Sequence, residues 1–177
     1  LVVGRVAPEK NLPLAMEAFG RMKALVPDLR CVVVGDGPVR ARLERENPGV
    51  IFAGTRTGEE LARYYASADI LLFPSETETF GNVVPEAMAC NLPVLCSIYN
   101  GCYPELVEPG ANGWTFDPLD PEDSCRGILR CIDQRDRLTL MGDRSREIVA
   151  QHSPERAAAA IHEACRMAAD RRRGGRV

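Results

Sequence analysis

Two glutamates, Glu78 and Glu86, stand eight positions apart in the stretch FPSETETFGNVVPEAMACNLPV, around a Phe-Gly-Asn turn. Two carboxylates at this spacing suit an acid/base pair, a metal site or a solvated helix start. Gly81 and Asn82 lead into VVPEAMAC, which reads as a helix with Asn82 at its cap and Pro85 in its first turn. The backbone N–H groups of such a start, together with the helix dipole, form a ready anion site. Glu86 then sits about one turn into the helix and Glu78 in the loop before it. The two carboxylates are therefore expected to flank the anion site without touching. Glu86 can accept from a vicinal diol such as a ribose, and Glu78 from the hydroxyls of a sugar. Glutamates at helix starts also occur for dipole reasons alone.

Two other loops carry residues with chemistry. GRVAPEKN places Arg5 and Lys10 in one strand-to-helix connection. Arg can bind two phosphate oxygens in a fork and Lys adds a mobile point charge, so the pair suits phosphate; the alternative is two surface charges. GDGP holds Gly35 and Gly37, but Arg40 stands where a dinucleotide fingerprint needs its third glycine. That loop reads as a tight turn with Pro38 opening the next helix, and its glycines leave room for a flat base or a ribose. There is no Walker-type run, which argues against an ATPase. No clustered acidic or Cys/His site calls for a metal.

These loops need a scaffold that brings them to one edge. Short apolar runs at 1–3, 31–35, 50–54, 70–73, 93–97 and 113–117 read as strands. Amphipathic stretches at 11–25, 38–46, 58–67 and 82–90 read as helices, the first with Leu14, Ala18 and Leu25 on or near one face. From Asp120 the pattern is helical to about Arg172, and the tail RRRGGR reads as a frayed, solvated end. Continuously apolar strands are buried on both faces, and strands alternating with helices build βαβ units. The expected fold is α/β: one doubly wound, mostly parallel, Rossmann-like sheet of about six strands with helices on both faces, as a single domain over 1–177. In such sheets ligands bind at the carboxyl ends of the strands, where the loops named above lie.

Composition narrows the classes further. The chain has 177 residues, 45% hydrophobic and 27% charged, as an ordinary globular domain has. A net charge of -3 offers no footprint for nucleic acid. The longest apolar run, ILLF, is strand-sized. Seven cysteines without a C-x-x-C read as buried reduced thiols of a cytoplasmic protein. The opening apolar run, without Met, reads as the interior of a longer protein.

VGRVAPEKN, VVVGDGP, FAGTRTGEELARYYASADILLFPSETETFGNVVPEAMACNLPV and GANGW, in this order, resemble the donor-binding C-terminal domain of retaining GT-B glycosyltransferases, the group called glycosyl transferases group 1. SETETFGNVV looks most like members that hand mannose or sulfoquinovose to lipid acceptors. The resemblance implies a hexosyltransferase using a UDP- or GDP-linked sugar, with neither cofactor nor metal. It implies that Arg5 and Lys10 hold the diphosphate and that Glu78 lies at the donor sugar. The turn amides of Phe80, Gly81, Asn82, Val83 and Val84 would bind sugar hydroxyls and phosphate, and Glu86 the ribose. Gly4, Gly35, Gly37 and Arg56 would lie around the nucleotide, the last three where the base is expected. It also implies an N-terminal acceptor domain outside this chain, a lipid or glycan acceptor, and a cytoplasmic or peripheral inner-membrane location. The chain alone would then be inactive. Rival readings are a non-catalytic nucleotide-sugar binding module and another GT-B enzyme such as a sugar epimerase or a phosphorylase. Relatives carry a glycine-rich loop where this chain reads NGCYPE, so Cys102 and Tyr103 are expected to crowd the sugar. Asn91 stands where glycine is usual.

Overall fold

The computed structural model describes residues 1–174, with side chains described to residue 170. Strands and helices alternate: β1 (Val2–Val3), α1 (Leu12–Leu25), β2 (Cys31–Val34), α2 (Arg40–Glu46), β3 (Val50–Gly54), α3 (Gly58–Ala66), β4 (Leu71–Phe73), α4 (Val83–Ala89), β5 (Val94–Ser97) and β6 (Gly113–Phe116). Three helices follow: α5 (Pro121–Asp133), α6 (Leu138–Val149) and α7 (Pro154–Gly174). The expected single helical run after Asp120 is thus broken by two 3-10 turns, Arg135–Arg137 and Ala150–His152. Asp120 starts α5 by accepting from the Glu122 N–H at 2.9 Å. The expected tail beyond residue 174 lies outside the described residues.

All strand pairs are parallel, in two three-stranded sheets, β1-β2-β3 and β4-β5-β6. The two meet along β1 and β4: the Leu1 nitrogen donates to Ile70 O at 3.0 Å, and Leu72 N–H donates to Leu1 O at 2.8 Å. The spatial order is therefore β3-β2-β1-β4-β5-β6, the doubly wound arrangement, with its direction reversing between β1 and β4. A crevice opens at that point, beyond the carboxyl ends of the two strands.

Residues alternate across the sheet. Val2, Val33, Leu72 and Leu95 enter one apolar cluster with α1 and α2. Val3, Val34, Leu71, Phe73, Val94 and Cys96 enter another with α3 and α4. Both faces are covered, as the unbroken apolar strands required. The buried stripe of α1 is Leu12, Ala15, Met16, Ala18, Phe19 and Met22. Leu25 is exposed and Leu14 half-buried, contrary to the face expected. At 3.6 residues per turn these two leucines fall at the margin of the stripe that Phe19 centres. The described side chains of α7 are exposed, and among the described residues no helix is long and apolar enough to cross a membrane.

Candidate functional site

The loop after β1 is held by backbone alone at its start. Gly4 has φ +142°, and its N–H donates to Val34 O at 3.0 Å. The chain then makes a 3-10 turn, Pro8–Lys10, ended by Asn11 at φ +52°. Asn11 is buried and its Nδ2 donates to Pro118 O at 2.8 Å, which ties the turn to the loop after β6. Glu76 N–H donates to Glu9 O at 3.1 Å, which ties it to the loop after β4. Lys10 is thus carried at a fixed place over the crevice. Its ammonium forms an ion pair with Glu78 and lies 5.7 Å from the centre of the Phe73 ring.

The Glu78 loop is held from the far side by the loop after β5. Gly101 N–H donates to Glu78 O at 3.0 Å, and Glu78 pairs with Asn100 in an isolated parallel bridge. A methyl group on Gly101 would overlap the Thr79 carbonyl, so glycine permits this approach. Gly81 has φ +77°, and a Cβ there would stand 2.6 Å from the Phe73 ring. The ring thereby forms the floor beneath the turn.

Asn82 does not cap α4 as expected. It is in helical conformation and its side chain makes no cap hydrogen bond. The first turn closes through its own backbone, with Val84 N–H donating to Gly81 O at 2.9 Å and Glu86 N–H to Asn82 O at 3.1 Å. Among the described residues, the N–H groups of Gly81, Asn82 and Val83 meet no acceptor. They border a cavity of about 280 Å³ that also receives Gly4, Lys10, Glu78, Thr79 and Phe80. A cation, a carboxylate and a row of open amides therefore share one concave site, which can hold an anionic group beside hydroxyls.

Glu86 and Glu78 are separately partnered; Glu78 lines the cavity and Glu86 does not. Glu86 lies exposed in the first turn of α4, and its Oε2 accepts from Tyr65 Oη at 2.9 Å. Burial first, and then this hydrogen bond, hold the Tyr65 phenol well above its usual range, so it remains a donor.

Other residues singled out from the sequence do not converge here. Arg5 is 68% exposed in its side chain and sits 3.8 Å from Glu9, apart from Lys10's cavity. Arg56 is exposed in the loop after β3. The side-chain positions of Gly35 and Gly37 are filled by the Gly4 and Val6 carbonyls, so the expected room for a base on that side is used to pack loop on loop. Val6 N–H donates to Asp36 O at 2.9 Å in the same seam. Val84 is fully buried and its amide is already bonded.

Neither Cys102 nor Tyr103 lines the cavity. Cys102 points into the core, 3.8 Å from Cys96 Sγ, and Tyr103 packs half-buried against the same cluster. Asn91 takes φ +59°, the left-handed end that its type allows. Among the seven free cysteines Cys165 is exposed, against the expectation that all are buried, and Cys90 is half-buried. Sequence reasoning missed Asn11, Tyr65 and Phe73. Only the strand-end position of Phe73 and the doubled aromatic at Tyr64 and Tyr65 hinted at them. A larger apolar groove of about 970 Å³ opens among Leu1, Cys31 and Ile70 at the amino ends of the strands, away from these loops.

Comparison with known proteins gives the family and the fold. The family model for glycosyl transferases group 1 matches residues 1–148. The chain is 35% identical over 150 residues to the sulfoquinovosyl transferase SQD2 of Arabidopsis thaliana, covering 82% of this chain and 28% of that protein. It is 42% identical over 150 residues to a GDP-mannose-dependent alpha-mannosyltransferase of Mycobacterium tuberculosis, covering 81% of this chain and 36% of that one. The fold matches the sucrose-phosphate synthase of Thermosynechococcus elongatus with a TM-score of 0.80 at 27% identity, over 94% of this chain and 45% of that one. It matches Anabaena HepE, crystallised with UDP, with a TM-score of 0.72 at 25% identity, over 85% and 44% of the two chains. The chain spans about a third of the length of the two curated relatives.

Proposed function

This chain belongs to the glycosyl transferases group 1 family, a GT-B group, and we propose that it is the donor-binding half of a retaining hexosyltransferase. The carrying observation is the Lys10–Glu78 ion pair set against the open amides of Gly81, Asn82 and Val83 in one cavity. Its chemistry matches a diphosphate joined to a sugar. Lys10 and the turn amides take the phosphate charge, which grows as the bond to the sugar breaks, so they stabilise the leaving group more in the transition state than before it. Arg5, on the same loop, reaches the diphosphate by leaving Glu9, an exposed ion pair that is cheap to break.

Glu86 accepts from the ribose diol and Glu78 from the sugar hydroxyls. The backbone around Gly4 and Arg56 borders the base. Phe80, exposed beside the cavity, covers the sugar. The donor is UDP- or GDP-linked and is held without a metal ion. The acceptor hydroxyl, on a lipid or a glycan, arrives on the face that the diphosphate leaves. Its binding site belongs to the part of such proteins that this chain does not span. The location is cytoplasmic, at or near the inner face of the membrane.

Calorimetric titration against UDP, GDP and ADP, in buffer with EDTA, tests this reading. One diphosphate should bind under those conditions. Binding that EDTA abolishes and Mg²⁺ or Mn²⁺ restores would contradict the metal-free site, and no binding of any of the three would contradict the donor half itself.

A further inference from the structure

The Glu86 carboxylate has one oxygen committed within the protein. Tyr65 Oη donates to Oε2 at 2.9 Å, from a residue that is only 2% exposed. The Tyr65 ring is packed in the apolar cluster with Leu71, Val84 and Met88, so it has no freedom to follow Glu86. Glu86 itself is exposed and has no other side-chain partner among the described residues. A Glu side chain on a helix surface samples several rotamers, and a diol needs one carboxylate oxygen held at a fixed place.

We propose that Tyr65 is a positioning residue for ribose recognition: its hydroxyl anchors Oε2 of Glu86 and so presents Oε1 to the vicinal diol of the nucleotide. The proposal rests on the reading of Glu86 as the ribose acceptor. A buried donor that stays protonated suits this task, because it holds the carboxylate in one rotamer without competing for the diol. The Tyr65 hydroxyl reaches Glu86 from α3, an element that, like Glu86 itself, does not line the Lys10–Glu78 cavity. A tyrosine filling core volume alone needs no partner at the edge of the site, and Phe would serve in its place.

The test titrates the 177-residue chain with UDP and GDP and with their 2′,3′-dideoxy counterparts. Tyr65→Phe keeps the ring and removes the anchor. It should weaken the ribonucleotide that the unaltered chain binds by roughly three- to tenfold and leave its dideoxy counterpart within about twofold. In a Glu86→Ala background, Tyr65→Phe should change ribonucleotide affinity by less than about twofold, since the two residues act as one unit. Equal weakening of both nucleotides by Tyr65→Phe, or an additive loss in the double variant, would overturn the proposal and leave Tyr65 a packing residue. If Glu86→Ala weakens ribo and dideoxy forms alike, or if neither diphosphate binds the unaltered chain, the underlying reading of Glu86 fails and the proposal falls with it. Selective loss in Glu86→Ala without selective loss in Tyr65→Phe removes the anchor alone and keeps Glu86 at the ribose.

Discussion

The Lys10 ammonium closes an ion pair on the Glu78 carboxylate, joining two loops 68 residues apart in the chain. Both side chains are about four-fifths shielded from solvent. On the proposed reading, the cation assigned to the phosphates is thus paired with the carboxylate assigned to the sugar. On that reading, a donor that supplies phosphate oxygens to Lys10 would release Glu78 toward the sugar hydroxyls and link the two recognition events.

Removing the cation should be felt by the bare diphosphate. A charged hydrogen bond contributes about 1.5–3 kcal/mol, so Lys10→Ala should weaken nucleoside diphosphate binding roughly ten- to a hundredfold. Isothermal calorimetry on the purified variant reads this directly, and unchanged affinity would remove Lys10 from the phosphate site.

The backbone of the turn depends on two glycines. Gly81→Ala meets both a left-handed φ and the Phe73 ring, and should destabilise the chain by about 1–3 kcal/mol in a denaturant melt. Gly101→Ala pushes on the Thr79 carbonyl, a backbone atom that cannot swing away. It should displace the Glu78 loop, lowering nucleotide-sugar affinity more than affinity for the bare diphosphate. A Gly101→Ala chain with unaltered melting and unaltered sugar discrimination would contradict this account of the loop.

On the proposed reading, the chain by itself should bind donor and transfer no sugar, because the acceptor side is assigned to the part of its relatives that it does not span. Within a complete two-domain protein, the product should keep the anomeric configuration of the donor, as read from the anomeric proton coupling by NMR. Transfer by this chain alone would contradict the half-site account, and an inverted product would contradict retention.

Thiol chemistry should follow exposure. Ellman's reagent should titrate Cys165 at once and Cys90 more slowly, with Cys96 and Cys102 reacting only on unfolding. The sulfur–sulfur contact with Cys102, and then burial, push the Cys96 thiol well above its ordinary range, which slows it further. Rapid labelling of Cys102 in the native chain would mean that the loop after β5 opens in solution.

The strands and their loops were legible because the apolar runs are short and several, such as CVVVG, are β-branched and end at a glycine. The crevice followed from topology, since the doubly wound order places the loops after β1 and β4 side by side. That Glu78 and Glu86 do not touch was legible because a Phe-Gly-Asn turn separates them. What the sequence hid is pairing across long separations. Nothing local to Lys10 points to Glu78, and nothing in EELARYYAS says which tyrosine meets Glu86. The expected cap at Asn82 failed for a related reason: the backbone closed the turn through Gly81 before the side chain was needed. Gly35 and Gly37 looked like ligand room because the loop that fills their space lies some thirty residues earlier.

The division of labour between the two carboxylates is the centre of this account, and one titration tests it. Glu78→Ala and Glu86→Ala are each measured against the bare nucleoside diphosphate and against its hexose-bearing form, with thermal melts confirming that both variants are folded. Glu86→Ala should weaken the two ligands alike, by roughly ten- to a hundredfold for one lost charged bond. Glu78→Ala should weaken the sugar-bearing donor by a similar factor, while the bare diphosphate is spared or binds slightly tighter as Lys10 is released. If Glu78→Ala weakens the bare diphosphate as much as Glu86→Ala does, the carboxylates do not have separate tasks and the assignment of Glu78 to the sugar is wrong.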